Sequence, residues 1–384
     1  MRRPGSHRLN RRSVGGWGPW KPTRYSGCVL WLRGDLGVTT VDAAVVDGSD
    51  FSTANWTKTN CTATATTITD SNDGAGPAVE HYARQTVANV QANHAATVYA
   101  ELKAGTKTWA LLRGGGWSAY VNLSTGAAGT LVGCTASISD AGGGWWAVTL
   151  TVTATSSALF DVAPSSPGDG GVSYIGDGTG TVLARAASVT QRNVSAWADQ
   201  SGNGRDATQA TAAARPLLTT RGGTPAIYFA NVGTADYLAT GAFTLNQPAT
   251  AFVVAQTDGV ATHETFFDGQ AVNTLRCYRS ATPKATIYAG VNLEDGAWSA
   301  ATPYVVHAVF DGASSEVGLN GVATTGNAGA TGTANGLIIG AAGGPSSQMT
   351  GYLQEIVIYN RALTAAERQN VERYLGARYG IAVS

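Results

Sequence analysis

The feature that most restricts this 384-residue chain is how often its apolar runs are broken. They are short, alternate with polar residues, and stop at Gly, Asn, Asp or Pro, which is the pattern of half-buried strands joined by tight turns. A-T-A-F-V-V-A-Q at 249–256, Y-V-V-H-A-V-F at 304–310 and the runs at 316–319, 337–339 and 356–359 are clear cases. Asn320-Gly321 sits between one such run and V-A-T-T and predicts a two-residue hairpin, because both residues tolerate positive φ. Residues 51–56, 98–103 and 145–151 read as further strands rich in aromatics. The expected fold class is all-β. A helix is expected at 364–379, where Thr364-Ala-Ala-Glu367 forms a capping box and Val371, Tyr374, Leu375 and Tyr379 recur at helical spacing. Arg368, Glu372 and Arg373 fall on the opposite face, and Gly380 supplies the stop.

Composition narrows the function classes. Hydrophobic residues make up 43% of the chain and charged ones 13%, which excludes disorder over most of its length. No apolar run reaches the roughly 18–20 residues of a helical membrane span, so no membrane insertion is expected. The net charge is zero, yet residues 1–24 carry seven basic side chains and no acid. The remainder is acidic, 18 basic against 25 acidic residues. Residues 1–24 therefore read as a basic arm that could touch nucleic acid, an acidic surface or a neighbouring subunit, or as a terminus that is disordered or ordered by a partner; no specific nucleic-acid partner is expected. No apolar segment follows these charges, so synthesis without a secretory signal is expected. Cys28, Cys61, Cys134 and Cys277 are too dispersed for a zinc motif and read as small hydrophobes.

V-L-W-L-R-G-D at 29–35, W-A-D-Q-S-G-N-G-R-D-A-T-Q at 197–209, R-P-L-L at 215–218, P-A-I-Y-F at 225–229, D-Y-L at 236–238 and G-Y-L-Q-E-I-V-I-Y-N-R-A-L-T at 351–364 together resemble the concanavalin A-like lectin superfamily in its laminin-G-like form. In such domains the W-x-D-x-S-G-N-G segment follows soon after the first strand, whereas here it comes about 160 residues later. The resemblance therefore implies a laminin-G-like sandwich made of 25–45 and 191–384, with a second domain, 46–190, inserted after the first strand. The insert resembles the jelly-roll, carbohydrate-binding-like modules of phage tail and other virion proteins. It does so through F-S-T-A-N-W-T-K-T-N at 51–60, V-Y-A-E-L-K-A-G at 98–105, N-L-S-T-G at 122–126, G-G-G-W-W-A-V at 142–148 and Y-I-G-D-G-T-G at 174–180. The expected architecture is two β-sandwich domains, one inside the other, plus the C-terminal helix.

Catalysis is not expected. A retaining glycosidase needs two carboxylates about 5 Å apart, and Glu264/Asp268 and Glu294/Asp295 have the wrong spacing for that division of labour. No nucleophile elbow, zinc-helix motif or phosphate loop is present. His307 alternates with apolar residues and reads as a solvent-face or satisfied core histidine. Asp199, Ser201, Asn203 and Asp206 offer hard oxygen ligands in a glycine-punctuated loop, a pattern that suits a structural calcium. The resemblance implies that Glu355 closes such a site. The same loop also reads as a turn in which Asp and Asn bond their own backbone. For sugar stacking, Trp109, Trp117 and Tyr120 flank a glycine turn and are the candidates, while Trp56, Trp145 and Trp146 are assigned to the core. Arg33-Gly34-Asp35 spells an adhesion tripeptide by coincidence.

From the resemblance we expect a non-enzymatic bacteriophage or prophage virion protein, tail-associated or decorating the particle surface, that presents lectin-like domains to host glycans. The basic arm would anchor it among other virion proteins, and homo-oligomers would multiply weak sugar contacts. It would be made in the host cytoplasm and become extracellular with the particle. A purely structural capsid or tail component, or a bacterial surface adhesin, are the alternatives.

Overall fold

A computed structural model describes residues 20–384 apart from 93, 154–158, 166–168, 170, 172, 260–261, 272–273 and 334. Most of the basic arm, residues 1–19, lies outside the described residues. The described chain is all-β with the single α-helix Ala365–Tyr379, and its strands fall into one large, nearly closed ladder, two six-stranded sheets and a two-stranded pairing of Val79–Glu80 with Ser173–Tyr174.

The large ladder folds as two layers. In one, the strand Gly351–Tyr359 is flanked on one side by Cys28–Arg33 and Thr224–Phe229, each pairing with half of it. On its other side follow Ala249–Thr257, Tyr304–Phe310, Ser315–Leu319 and Val322–Gly326. The opposite layer runs from Val38–Asp42 through Arg192–Trp197, Ala207–Thr208, Leu238–Thr240 and Leu337–Ile339 to Glu264–Gly269, Arg276–Arg279, Ala285–Tyr288 and Asn292–Asp295. Between the layers lies a core that includes Leu30, Trp197, Phe229, Phe266, Phe267, Phe310 and Ile356, all fully buried. Each such side chain contributes roughly 1.5–3 kcal/mol on leaving water. At the predicted hairpin Asn320 and Gly321 have φ of 50° and 91°, and Leu319 pairs with Val322.

The chain leaves this sandwich after its second strand, Val38–Asp42, rather than after its first. It re-enters as Arg192–Trp197, which pairs directly with Val38–Asp42 through Arg192↔Asp42 and Asn193↔Val41. Between these points the two six-stranded sheets enclose a separate core. One runs Ala127–Val132, Trp117–Asn122, Trp109–Gly114, Leu159–Ser165, Tyr82–Thr86, Thr57–Thr59. The other runs Cys134–Gly142, Trp145–Thr153, Ala95–Ala104, Thr181–Thr190, Thr67–Asp70, Cys61–Ala63. Residues 51–56 are a turn instead of the expected strand. Phe51 and Trp56 both face inward with ring centroids 4.4 Å apart, and Asp50 takes the backbone N–H and hydroxyl of Ser52.

Strand Ala249–Thr257 is buried along its whole length because both of its faces are covered. Ala251 and Val253 face the core, while Phe252 and Val254 face the C-terminal helix with Trp31, Val357, Tyr359, Val371 and Leu375. The capping box forms, with the Thr364 side chain accepting from the Glu367 N–H, and Gly380 ends the helix at φ 68°. Trp20 packs on the same helix through Tyr374. Glu372 corrects the helical-wheel assignment: it is buried, not on the solvent face. Its Oε1 lies 2.7 Å from His307 Nδ1, and His307 Nε2 lies 2.9 Å from Glu316, which in turn receives Arg368. A second clamp forms at Glu355, which accepts from Trp31 Nε1 at 2.6 Å and Tyr379 Oη at 2.8 Å. Asp35 of the adhesion-like tripeptide is spent in ion pairs with Arg33 and Arg378.

Burial opposes charge on His307, but the hydrogen bonds and charges of Glu316 and Glu372 outweigh it and hold the imidazole above its ordinary value. Its stabilising contribution is therefore complete below about pH 6.5 and fades as pH rises through the raised folded value. We expect His307→Gln to lower unfolding free energy by about 3–5 kcal/mol, since it strands a buried carboxylate. In denaturant melts the deficit relative to wild type should be largest near neutral or slightly acidic pH and shrink under alkaline conditions.

Candidate functional site

The structure divides the residues named for calcium between two places. Asp199 Oδ1 accepts the backbone N–H groups of Trp31 and Ser201, both at 2.9 Å, and Oδ2 accepts the Ser201 hydroxyl and the Arg205 N–H. Asp206 Oδ1 takes the Asp199 N–H, and Asn203 Nδ2 donates to Cys28 O and Ser201 Oγ. These side chains fasten their own loop to the strand Cys28–Arg33. Glu355 lies on the helix-facing side with Trp31, Tyr374 and Tyr379 and does not join them. Among the described residues no group of three or more His, Cys, Asp or Glu side chains is placed to hold a metal ion. The residues named for calcium thus do not fit one site.

The sugar-stacking candidates are corrected in part. Trp117 points into the insert's core against Phe160 and is 5% exposed, because its strand directs Trp117, Ala119 and Val121 inward. Tyr120 and Trp109 lie on the opposite face of that sheet in a small apolar cluster with Leu111, Ala163 and Tyr82. Tyr120 is itself buried. Beside them Asp161 receives Arg84 and Arg113, and Arg113 also grips Glu80 in a bidentate pair. Every charge in that network is already answered.

The other sheet of the insert presents a different face. Adjacent residues in a strand point to opposite sides, so Trp145 and Trp146 cannot share one environment. Trp146 has the parity of Val148, Leu150 and Val152 and packs against the core, its indole N–H bonding Leu123 O. Trp145 has the parity of Ala147, Thr149 and Thr151 and lies outside, half-buried, with the Arg185 guanidinium 4.1 Å from its ring centroid. That parity was available in the sequence; the clustering of aromatic residues obscured it. Four cross-strand rows build this face: Trp145–Lys103–Leu183, Ala147–Glu101–Arg185, Thr149–Tyr99–Ser188 and Thr151–Thr97–Thr190. A bulge between Arg185 and Ser188, with Ala186 at φ 52°, switches the strand's parity so that both ends still aim polar groups outward. Arg185 Nε bonds Glu101 at 2.6 Å and holds its carboxyl below the usual range, while Tyr99 Oη donates to Glu101 at 2.8 Å. At about 3.4 Å per residue the rows extend over some 20 Å.

The lower end of this face meets the larger sandwich in a cleft. A recess of about 310 Å³ lies between Ala95–Thr97, Thr151 and Thr190 of the insert and Arg192 and Leu217–Thr219 of the other sandwich. It shares Arg192, Leu218 and Thr219 with a recess of about 440 Å³ that reaches Asp35, Val38 and Thr220. On the other side it shares Ala95, Leu217 and Thr219 with one of about 330 Å³ bordered by His94, Tyr228 and Tyr352. The recesses form one groove around Leu217–Thr219, and grooves between domains are favoured ligand sites. Its walls are held together by buried amides. Gln191 Oε1 accepts the Gln91 N–H at 2.5 Å, Gln91 Nε2 donates to Asn193 Oδ1, and Asn193 Nδ2 donates to Val41 O and Asn89 O. His94 Nε2 meets Asp236 Oδ2 at 2.8 Å across the two sandwiches. Burial opposes charge on His94, but Asp236 outweighs it and raises the imidazole, while burial raises the Asp236 carboxyl.

No protein-family model and no curated protein sequence matches the chain. Among solved structures it is similar to Trypanosoma rangeli sialidase in complex with sialic acid, at 15% identity and a TM-score of 0.36, over 48% of this chain and 31% of that one. It is also similar to an α-L-arabinofuranosidase soaked with a cyclic sulfate inhibitor, at 14% identity and a TM-score of 0.37, over 49% and 51%. An arabinofuranosidase complexed with arabinofuranosyl-α-1,2-xylobiose aligns at 13% identity and a TM-score of 0.39, over 72% and 60%. The chain spans between about a third and three fifths of these structures.

The two tryptophans make opposite predictions. Trp117→Ala empties a core position and should cost about 3–5 kcal/mol of stability. Trp145→Ala removes a half-buried surface ring with Arg185 and Lys103 over it and should cost no more than about 1 kcal/mol. Paired urea melts check this.

Proposed function

We propose that the chain is a non-enzymatic glycan-binding protein whose site is the outer face of the Ala95–Ala104 sheet together with the groove at its foot. The carrying observation is a continuous strip. It begins at Trp145 and Tyr99, both available for stacking, and ends among Thr97, Thr151, Thr190, Thr219 and Thr220. Among the described residues none of these five threonine side chains has an intramolecular hydrogen-bond partner. Sugars need this pairing of an apolar ring with unspent hydroxyls, since each buried sugar hydroxyl must find a donor or acceptor. The acids bordering the strip, Glu101 and Asp35, are engaged with Arg185, Arg33 and Arg378, which supports binding rather than general acid chemistry. The setting implied by the sequence resemblance, a bacteriophage particle whose copies add avidity, is part of the proposal.

A glycan array and host-envelope pull-down with the whole chain tests it. We expect binding that weakens about 2- to 12-fold in Kd on Trp145→Ala, the equivalent of about 0.5–1.5 kcal/mol for one aromatic contact. An array without signal, or a Trp145→Ala protein that binds as well as wild type, overturns the proposal.

A further inference from the structure

Resting on that reading, the structure assigns the ligand a charge: we propose that the groove takes an anionic glycan, one bearing carboxylates or sulfate esters, and that Arg192 reads the anion.

The cations around the groove differ in how they are engaged. Arg33 and Arg378 converge on Asp35, Arg185 is held by Glu101, and His94 by Asp236. Arg215 donates to Gln209 O and Ala210 O, and Arg221 to Gln256 and Ala301 O. Arg192 stands apart. It is exposed, and among the described residues its side chain has no hydrogen-bond or ion-pair partner. It nevertheless has a defined place, because its backbone pairs with Asp42 at the start of the re-entry strand.

That place is where two recesses meet. Arg192 lines both the recess containing Thr97, Thr151 and Thr190 and the one containing Thr220 and Pro225. A polymer running along the groove must cross it. A guanidinium presents a planar fork that matches two oxygens of a carboxylate or sulfate, and the threonine hydroxyls on either side are placed to take neighbouring sugar hydroxyls. The one carboxylate lining these two recesses, Asp35, is offset by two arginines, so the local field favours an anion.

The test titrates polygalacturonate, dextran sulfate and neutral dextran into the full-length wild type, Arg192→Gln, Arg192→Lys and Trp145→Ala, at low and at high salt. We expect an acidic polymer to bind more tightly than dextran. Arg192→Gln should raise its Kd about fivefold or more at low salt and leave dextran unaffected. Arg192→Lys should recover part of the loss, because it restores the charge without the fork. Preference for polygalacturonate or for dextran sulfate identifies the anion. If Trp145→Ala weakens binding but Arg192→Gln does not, the assignment of charge is overturned while glycan binding stands. If wild type binds no glycan, on the array or here, the underlying reading fails with it.

Discussion

The pairing of Val38–Asp42 with Arg192–Trp197 is the constraint on which the rest of this molecule depends. These strands carry the chain out to the insert and back, and they are hydrogen-bonded neighbours in one sheet. The host sandwich therefore sees the insert as a long loop between adjacent strands, and closure entropy grows only logarithmically with loop length. Adjacency also dictates placement. With both connections leaving one sheet at neighbouring points, the second sandwich must stand beside that edge, and the groove is the space left between the bodies. The buried amides of Gln91, Gln191 and Asn193 then hold the junction. Each is nearly satisfied only when the two bodies are docked, so the contact is specified by direction as well as by area.

The same logic holds the C-terminal helix. Apolar burial by Val371 and Leu375 has no preferred rotation by itself, but Glu372 on His307 and Tyr379 on Glu355 are satisfied in only one orientation. The outer surface of the larger sandwich's sheet is occupied by this helix and the first sheet of the insert is closed by its own ion pairs, which among the described residues leaves the sheet carrying Trp145 as an open polar face beside the groove.

Much of the fold was legible in the chain because it is written in local periods. Two-residue alternation marked the strands, Asn320-Gly321 the hairpin, and Thr364 with Glu367 the helix start. Misreadings arose where distant partners overrode local pattern. Phe51 and Trp56 made a turn look like a strand because two aromatics near each other resemble a pleat, and Glu372 looked solvent-facing because nothing nearby announces His307. The candidate site was less legible. Trp145 was recoverable from strand parity, but Arg192 carries no local signature: its neighbours in the groove come from residues 95–97, 151 and 217–220.

The sequence by itself therefore determined the class of structure and its turns, since φ preferences, alternation and capping act within a few residues. Tertiary structure alone decided which polar groups are spent and which are available. Asp199 and Asp206 turned out to be loop fasteners, Trp117 core, and Arg192 unengaged among the described residues, because satisfaction of a charge or hydroxyl depends on what long-range packing brings within about 3 Å.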